Sequence, residues 1–144
     1  MASESESPAR FVLVDSNVLL DVITEDPRWY EWSSEALARA ADTAMLAINP
    51  IIFAEVSVRF ERIEQMDGAL PPTSYARLPL PWEAGFLAGK CFPRYLRAGG
   101  ARLSPLPDFY IGAHASVHRL ELLTRDATRY RTYFPTLTLI SPRS

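Results

Sequence analysis

The chain has 144 residues, of which 48% are hydrophobic, and a formal net charge of −2. This length and composition suit one ordinary globular domain with a sizeable core, and they argue against disorder over most of the chain. No apolar run approaches the roughly 20 residues that a membrane-crossing helix needs, and a single cysteine excludes an internal disulfide. We therefore expect a cytoplasmic protein without a membrane partner.

The beginning of the chain is small and acidic, and it lacks the basic start and apolar run of a secretory signal. We predict a disordered N-terminal tail over residues 1–10 and a single domain over residues 11–144.

Charge is distributed unevenly along the chain. Residues 1–90 hold fourteen acids and seven bases, whereas residues 91–144 hold three acids and eight arginines. Because the planar guanidinium matches phosphate oxygens, an anionic polymer is a candidate partner, although composition alone favours ordinary surface charge.

Short apolar runs alternate with helix-like patterns. Strands are predicted at residues 11–14, 44–48, 120–124 and 137–140. Helices are predicted after Asp15, at residues 29–41, 51–66, 82–98 and 127–133, and from the Pro107-Asp108 region onward, with Pro93 kinking or splitting the fourth of these. Residues 67–81 are predicted to be a connector. This alternation predicts an α/β class, a three-layer α/β/α fold with a four- to five-stranded, mainly parallel sheet.

Four acids are expected to meet at the carboxyl edge of this sheet. Asp15 directly follows the first strand, Asp126 lies within two residues of the third, and Glu55 lies about two turns beyond the second. Asp108 begins a crossover helix, whose start lies at the same edge. Clustered carboxylates repel one another unless a hard divalent cation neutralises them, and such a cation can activate water against a phosphodiester. Helix caps and surface acids are the structural alternative.

The motifs that carry these acids are Val14-Asp15-Ser-Asn17-Val-Leu-Leu-Asp21, Glu55 in its helix, Pro107-Asp108-Phe-Tyr-Ile-Gly-Ala-His114, and Leu-Leu-Thr124-Arg-Asp126 followed by Tyr130-Arg-Thr-Tyr-Phe-Pro135. In this order they resemble the PIN-domain ribonucleases, most closely the VapC toxins of bacterial type II toxin–antitoxin pairs. The resemblance covers residues 11–141, essentially the whole domain.

The resemblance implies a metal-dependent endoribonuclease that hydrolyses RNA. It implies that a catalytic quartet holds Mg²⁺ or Mn²⁺, supported by an asparagine and a threonine; the matching residues are Asp15, Glu55, Asp108, Asp126, Asn17 and Thr124. It also implies a homodimer inhibited by a small VapB-like antitoxin, whose C-terminal segment covers the active site. DNA is expected to be contacted only through the antitoxin.

Basic and aromatic residues near the last two acids are candidate RNA contacts. Arg119, Arg125 and Arg129 are predicted to bind phosphates, with Tyr130 available to stack on a base. Solvated helix charges are the alternative for two of the four arginines that flank the last two acids, which are Arg119, Arg125, Arg129 and Arg131.

Two histidines, His114 and His118, lie one helical turn apart, as two zinc ligands can. No cysteine or third histidine completes such a site, so packing beside the core or contact with RNA is the preferred interpretation. We further expect Cys91 to be a buried small hydrophobe, and we expect a core or dimer position for the tryptophans, Trp29, Trp32 and Trp82.

Other functions fit the motifs less well. A phosphatase-like metal hydrolase would need an aspartate at the position of Asn17, and a phosphoacceptor domain would need a strand-borne lysine, whereas the only lysine, Lys90, lies in a predicted helix. A non-catalytic RNA-binding module is disfavoured because all four acids are present.

Overall fold

A five-stranded parallel sheet forms the centre of the fold in the computed structural model, which describes residues 10–142. The strands are β1 (Phe11–Val14), β2 (Met45–Ile48), β3 (Tyr75–Arg77), β4 (Glu121–Leu123) and β5 (Leu139–Ile140). Their spatial order is β3-β2-β1-β4-β5, and every neighbouring pair is parallel. The predicted α/β fold with a parallel sheet is confirmed.

The predicted tail lies outside the described residues except for its last position. That position, Arg10, precedes β1 and donates hydrogen bonds from its guanidinium to the hydroxyl of Thr43 and the carboxylate of Glu121.

The middle strand, β1, is buried on both faces because helices cover both sides of the sheet. Its residues Val12, Leu13 and Val14 are fully buried, which explains why the strand is continuously apolar rather than alternating. It pairs with β2 on one side, Val12 opposite Leu46, and with β4 on the other, Val12 opposite Glu121.

Seven helices connect the strands of the described chain: α1 (Ser16–Ile23), α2 (Tyr30–Thr43), α3 (Pro50–Ser57), α4 (Ile63–Ala69), α5 (Trp82–Arg97), α6 (Pro107–Val117) and α7 (Thr128–Tyr133). None of those between residues 10 and 142 is both long and apolar enough to cross a bilayer. Successive strands first lie to one side of β1 and then to the other. The carboxyl ends of β1 and β4 therefore flank the point where the strand order reverses, where ligands bind in open α/β sheets.

The helix predicted over residues 51–66 is instead two helices. Residues 58–62 form turns and bends between α3 and α4. The Gln65 side chain accepts hydrogen bonds from the amides of Glu61 and Arg62, which caps a new helix start. The apolar period continues across the break, which is why the periodicity alone did not reveal it.

The connector predicted over residues 67–81 contains an edge strand, β3. Its three residues pair with β2, Ala76 opposite Ala47, and the amide of Leu78 extends the ladder to the carbonyl of Ile48 at 2.9 Å. Prolines on both sides obscure this strand in the sequence. The strand forms by pairing with the backbone of β2, which a local sequence pattern does not reveal.

A kink or a split is predicted at Pro93, and α5 continues through it as one helix, so the split does not occur. The proline side chain is exposed, so its ring meets solvent and not the core. The helix ends before Gly99, whose φ of +96° is the left-handed conformation that glycine adopts without strain.

α6 approaches its neighbour closely at Gly112. A Cβ at this position would lie 2.4 Å from the Phe134 ring and 3.1 Å from the Tyr130 ring. α7 therefore packs directly on the backbone of α6.

A buried carboxylate joins α1, α2 and the segment after β4. Asp21 is 2% exposed and accepts hydrogen bonds from Ser33 Oγ and Arg125 Nε, each at 2.7 Å. The guanidinium of Arg125 also lies 5.3 Å from the centre of the Trp29 ring. This network fixes the backbone between Thr124 and Asp126.

Replacing Arg125 by alanine would leave the Asp21 carboxylate buried without its cation. We expect the free energy of unfolding to fall by about 3 kcal/mol. Asp21→Asn removes the charge but keeps a hydrogen-bonding shape, so its loss should be smaller, about 1–2 kcal/mol. Urea denaturation measures both.

Arg131→Ala, at an exposed arginine of α7, is the control and should change the free energy of unfolding by less than about 0.5 kcal/mol. An equally small loss for Arg125→Ala would show that the pair does not stabilise the fold.

Candidate active site

A cleft of about 650 Å³ opens at the carboxyl edge of the sheet, beside the ends of β1 and β4. It is lined almost entirely by polar side chains and by the start of α7: Asp15, Ser16, Asn17, Asp108, Asp126, Thr128, Arg129, Thr132 and Tyr133. Three of the four predicted acids therefore face one cleft.

Asp15 is the most buried of these acids, with 3% exposure. Its Oδ1 accepts from the Ser16 amide at 2.8 Å, as an N-cap of α1 does. Its Oδ2 accepts from the Thr124 hydroxyl at 2.8 Å and the Tyr130 hydroxyl at 2.9 Å. Burial, and then the charge of Asp108, raise the pKa of Asp15 to about 7 despite these donors. Asp15 therefore does cap α1, as the structural alternative proposes. Capping alone does not explain why another acid, Asp108, lies close to it.

Asp108, in the first turn of α6, is half-buried at the middle of the cluster. Burial raises its pKa, the guanidinium of Arg129 lowers it in part, and the charge of Asp126 adds to the rise. Its Oδ2 lies 3.3 Å from Arg129 Nη1, and its Oδ1 lies 3.4 Å from the Tyr130 hydroxyl.

Glu55 reaches the cluster from α3. Its Oε1 accepts a hydrogen bond from Ser16 Oγ at 2.7 Å. Burial raises the pKa of Glu55, the Ser16 hydrogen bond offsets part of the rise, and the charge of Asp108 adds to it. Asp108 is therefore within electrostatic reach of all three other acids.

Asp126 is exposed and lines the cleft, where Thr124 and Asn17 organise its backbone. The Thr124 hydroxyl accepts from the Asp126 amide and from Asn17 Nδ2, each at 3.2 Å. Asn17 Oδ1 in turn accepts from the Arg125 amide at 3.3 Å. Asn17 and Thr124 thus link the end of β1 to the segment that carries Asp126.

The four carboxylates fit a hard divalent cation in donor chemistry. All offer oxygen, and the pKa values of Asp15, Glu55 and Asp108 are raised first by burial and further by the charge of a neighbouring acid, which a bound cation would offset. In the conformation described for residues 10–142, no three acidic, histidine or cysteine side chains lie close enough together to surround one ion. Hydrogen bonds from the protein occupy the oxygens of Asp15 and Asp108 instead.

The three arginines predicted to bind RNA lie in different places. Arg129 lines the cleft, but Arg125 is engaged with Asp21 beneath it. Arg119 lies just before β4 begins, beside a separate pocket that also includes Glu121. Because α6 runs from the carboxyl edge of the sheet back to its amino edge, Arg119 lies at the amino edge. It is therefore away from the four predicted acids.

Tyr130 cannot stack on an RNA base in this conformation, because it is 1% exposed. The prediction that it is available for stacking is wrong. Its hydroxyl instead contacts Asp15 and Asp108 from below the cleft. Burial and these carboxylates keep the pKa of Tyr130 well above its usual value, so the hydroxyl remains a donor.

The two histidines pack against each other with ring centres 5.3 Å apart. His114 is fully buried, and its Nδ1 lies 2.9 Å from Asn49 Nδ2. Burial, and then His118, lower the pKa of His114 to about 4, so its ring is neutral near pH 7. The position of His114 agrees with the core interpretation rather than with a zinc site.

Of the other four residues predicted as core candidates, three are at least half-buried and one is exposed. Cys91 is buried as expected, and Trp29 and Trp32 are half-buried in an edge-to-face pair. Trp82 is 93% exposed, so it is not a core residue.

The sequence analysis does not predict the roles that Ser16 and Tyr130 have in the structure. The hydroxyl of Ser16 donates to Glu55, and that of Tyr130 contacts Asp15 and Asp108. A signal for Tyr130 exists in Gly112, because an α6 residue without a side chain leaves room for a large ring beside Asp108.

The chain matches one protein family over most of its length. A family model described as the PIN domain matches residues 12–135. None of the curated proteins matches the chain significantly.

Solved structures share the fold at low sequence identity. VapBC2 from Rickettsia felis, bound to a DNA fragment from its promoter, aligns with a TM-score of 0.69 at 18% identity, covering 92% of this chain and 99% of that chain. A toxin–antitoxin complex from Klebsiella pneumoniae aligns with a TM-score of 0.66 at 22% identity, covering 92% and 98%. The PIN domain endonuclease Utp24 aligns with a TM-score of 0.55 at 13% identity, covering 96% and 89%. Since the PIN model matches most of the chain and the described fold agrees with it, the chain belongs to the PIN-domain family.

Proposed function

We propose that this protein is a Mg²⁺- or Mn²⁺-dependent endoribonuclease and the toxin of a toxin–antitoxin pair. The observation that carries the proposal is the set of carboxyl groups with raised pKa, Asp15, Asp108 and Glu55, gathered at the reversal point of a parallel sheet. A PIN domain endonuclease and VapBC complexes are among the structural neighbours, which supports the nuclease and toxin assignments.

Each acid has a distinct part in the proposed chemistry. Asp15 and Asp108 would hold the cation on the floor of the cleft, with Glu55 and Asp126 completing the ligand set from either side. When bound, the cation would lower the pKa of a water molecule and stabilise charge on the phosphodiester oxygens. Ser16 orients Glu55, and Thr124 orients Asp15 while fixing the backbone of Asp126.

RNA would approach along the wall formed by α7. Arg129 is exposed beside Asp108, and Thr128 and Thr132 line the same wall. A guanidinium at the rim can bind a phosphate and bring the phosphodiester over the acids. Neither Arg119 nor Arg125 is placed to do so, and we propose Arg129 as the phosphate contact of this site.

Partners follow from the same assignment. We propose a cytoplasmic toxin silenced by a VapB-like antitoxin that covers the cleft, with DNA reached only through that antitoxin, since the Rickettsia felis VapBC2 complex is bound to promoter DNA. We also propose a homodimer, for which the exposed Trp82 and Phe86 on α5 offer an apolar surface.

Chelation is the direct test of the enzymatic proposal. Cleavage of total RNA should stop in EDTA and return with Mg²⁺ or Mn²⁺, while Zn²⁺ should substitute poorly because the ligands are hard oxygens. Asp108→Asn should lower the cleavage rate at least about 100-fold, and Asp42→Asn, at an exposed aspartate of α2, should not. Undiminished cleavage in EDTA would contradict the mechanism. RNA binding without cleavage in any divalent cation would favour the non-catalytic alternative.

The raised pKa of Asp15 predicts a pH dependence of stability in metal-free protein. Between the usual aspartate value of 3.8 and about 7, the native state retains a proton that the unfolded chain has lost. The free energy of unfolding should therefore fall as pH rises through this window, by up to a few kcal/mol at about 1.4 kcal/mol per pKa unit. Burial raises the pKa of Glu55 and Asp108 too, which acts in the same direction.

Asp15→Asn should flatten this slope and melt above wild type at neutral pH in EDTA. Saturating Mg²⁺ should then raise the wild-type midpoint more than that of the variant, since a ligand at a hundredfold excess over its Kd contributes about 2.7 kcal/mol. Thermal melts with EDTA and with Mg²⁺ decide the matter, with Asp42→Asn as the control. If metal-free Asp15→Asn melts clearly below wild type, Asp15 is a structural cap.

A further inference from the structure

The hydroxyl of Tyr130 is placed between two carboxylates that belong to different elements. It lies 2.9 Å from Oδ2 of Asp15, which follows β1, and 3.4 Å from Oδ1 of Asp108, which begins α6. The donor itself comes from a third element, α7. The hydroxyl carries one hydrogen, and it lies within hydrogen-bonding distance of both oxygens only while the two carboxylates keep their present separation.

The tyrosine ring is held rigidly below the cleft. The side chain is 1% exposed, and its ring packs over Gly112, where a Cβ would come within 3.1 Å of it. Phe134, also buried, lies against the same glycine. The hydroxyl therefore has little freedom to follow a carboxylate that moves, and it acts as a fixed reference point for both.

The other donors do not duplicate this role. Thr124 contacts Asp15 and the backbone of Asp126, and Arg129 contacts Asp108 from an exposed position. Among the residues described, Tyr130 is the side chain whose hydroxyl lies within hydrogen-bonding distance of both Asp15 and Asp108.

We propose that Tyr130 is a positioning residue, whose hydroxyl sets the separation and orientation of Asp15 and Asp108 for a divalent cation. This inference rests on the proposed function, because it assumes that these two acids bind a cation. The hydroxyl need not touch the cation or the RNA. Hydrogen bonds that orient metal ligands typically change metal affinity by about 10–100-fold when removed.

Tyr130→Phe tests the inference, because it removes the hydroxyl and keeps the ring that packs on Gly112. Direct titration of the full chain with Mn²⁺, by calorimetry at one fixed pH, should give a Kd about tenfold higher than that of wild type. Tyr75→Phe, the same change at a half-buried tyrosine of β3, is the control and should leave the Kd unchanged. Thermal midpoints in EDTA report any loss of packing separately.

A purely structural role predicts a different result. It would lower the EDTA midpoint of Tyr130→Phe and leave the Kd of the folded protein within about twofold of wild type. That result, or tighter Mn²⁺ binding, would overturn the inference while leaving the proposed function intact. Wild-type protein that binds no Mn²⁺ would overturn both.

Tyr130→Met provides a second variant without a hydroxyl, in a shape that adapts to the core. Weaker Mn²⁺ binding by either folded variant supports the positioning role. If neither variant folds, the hydroxyl is required for the fold itself, and the positioning role is rejected.

Discussion

Burial of the Asp15 carboxyl group is the constraint on which the arrangement of the cleft depends. An ionised group at the end of a fully buried strand is costly unless donors surround it. Here three segments supply donors, through the Ser16 amide, the Thr124 hydroxyl and the Tyr130 hydroxyl. These contacts require α1 to begin directly after β1, β4 to end beside β1, and α7 to pack on α6. The pKa of Asp15 remains raised despite these donors, so ionisation of Asp15 is unfavourable in the metal-free fold. A bound cation would offset that charge.

Some of the unevenly distributed charges of the sequence pair with each other inside the fold. The acidic first part of the chain supplies Asp21 and the basic last part supplies Arg125, and the two form a 2.7 Å pair that anchors the segment before Asp126. Of the three arginines predicted to bind RNA, Arg125 is thus structural, Arg119 lies at the other edge of the sheet, and Arg129 lines the cleft. The number of arginines in this sequence is therefore larger than the number placed to bind a phosphate at the cleft.

Local signals allowed much of the fold to be predicted. The apolar run of β1 followed by Asp15, and Pro107 before Asp108, mark a strand end and a helix start without any tertiary information. Features that depend on distant partners were not predicted: β3 forms only on β2, the burial of Tyr130 depends on Gly112, and the role of Arg125 depends on a residue more than a hundred positions away. The break between α3 and α4 was missed for a different reason, because the apolar period persists through it.

Diffraction from crystals soaked in Mn²⁺, recorded where manganese scatters anomalously, would show directly whether a cation binds among these acids. We expect an anomalous peak in the cleft, ligated by oxygens of Asp15 and Asp108 and by at least one of Glu55 and Asp126. A cleft without a peak at saturating Mn²⁺, or a peak bound only to surface carboxylates elsewhere, would contradict the claim that these acids form a cation site.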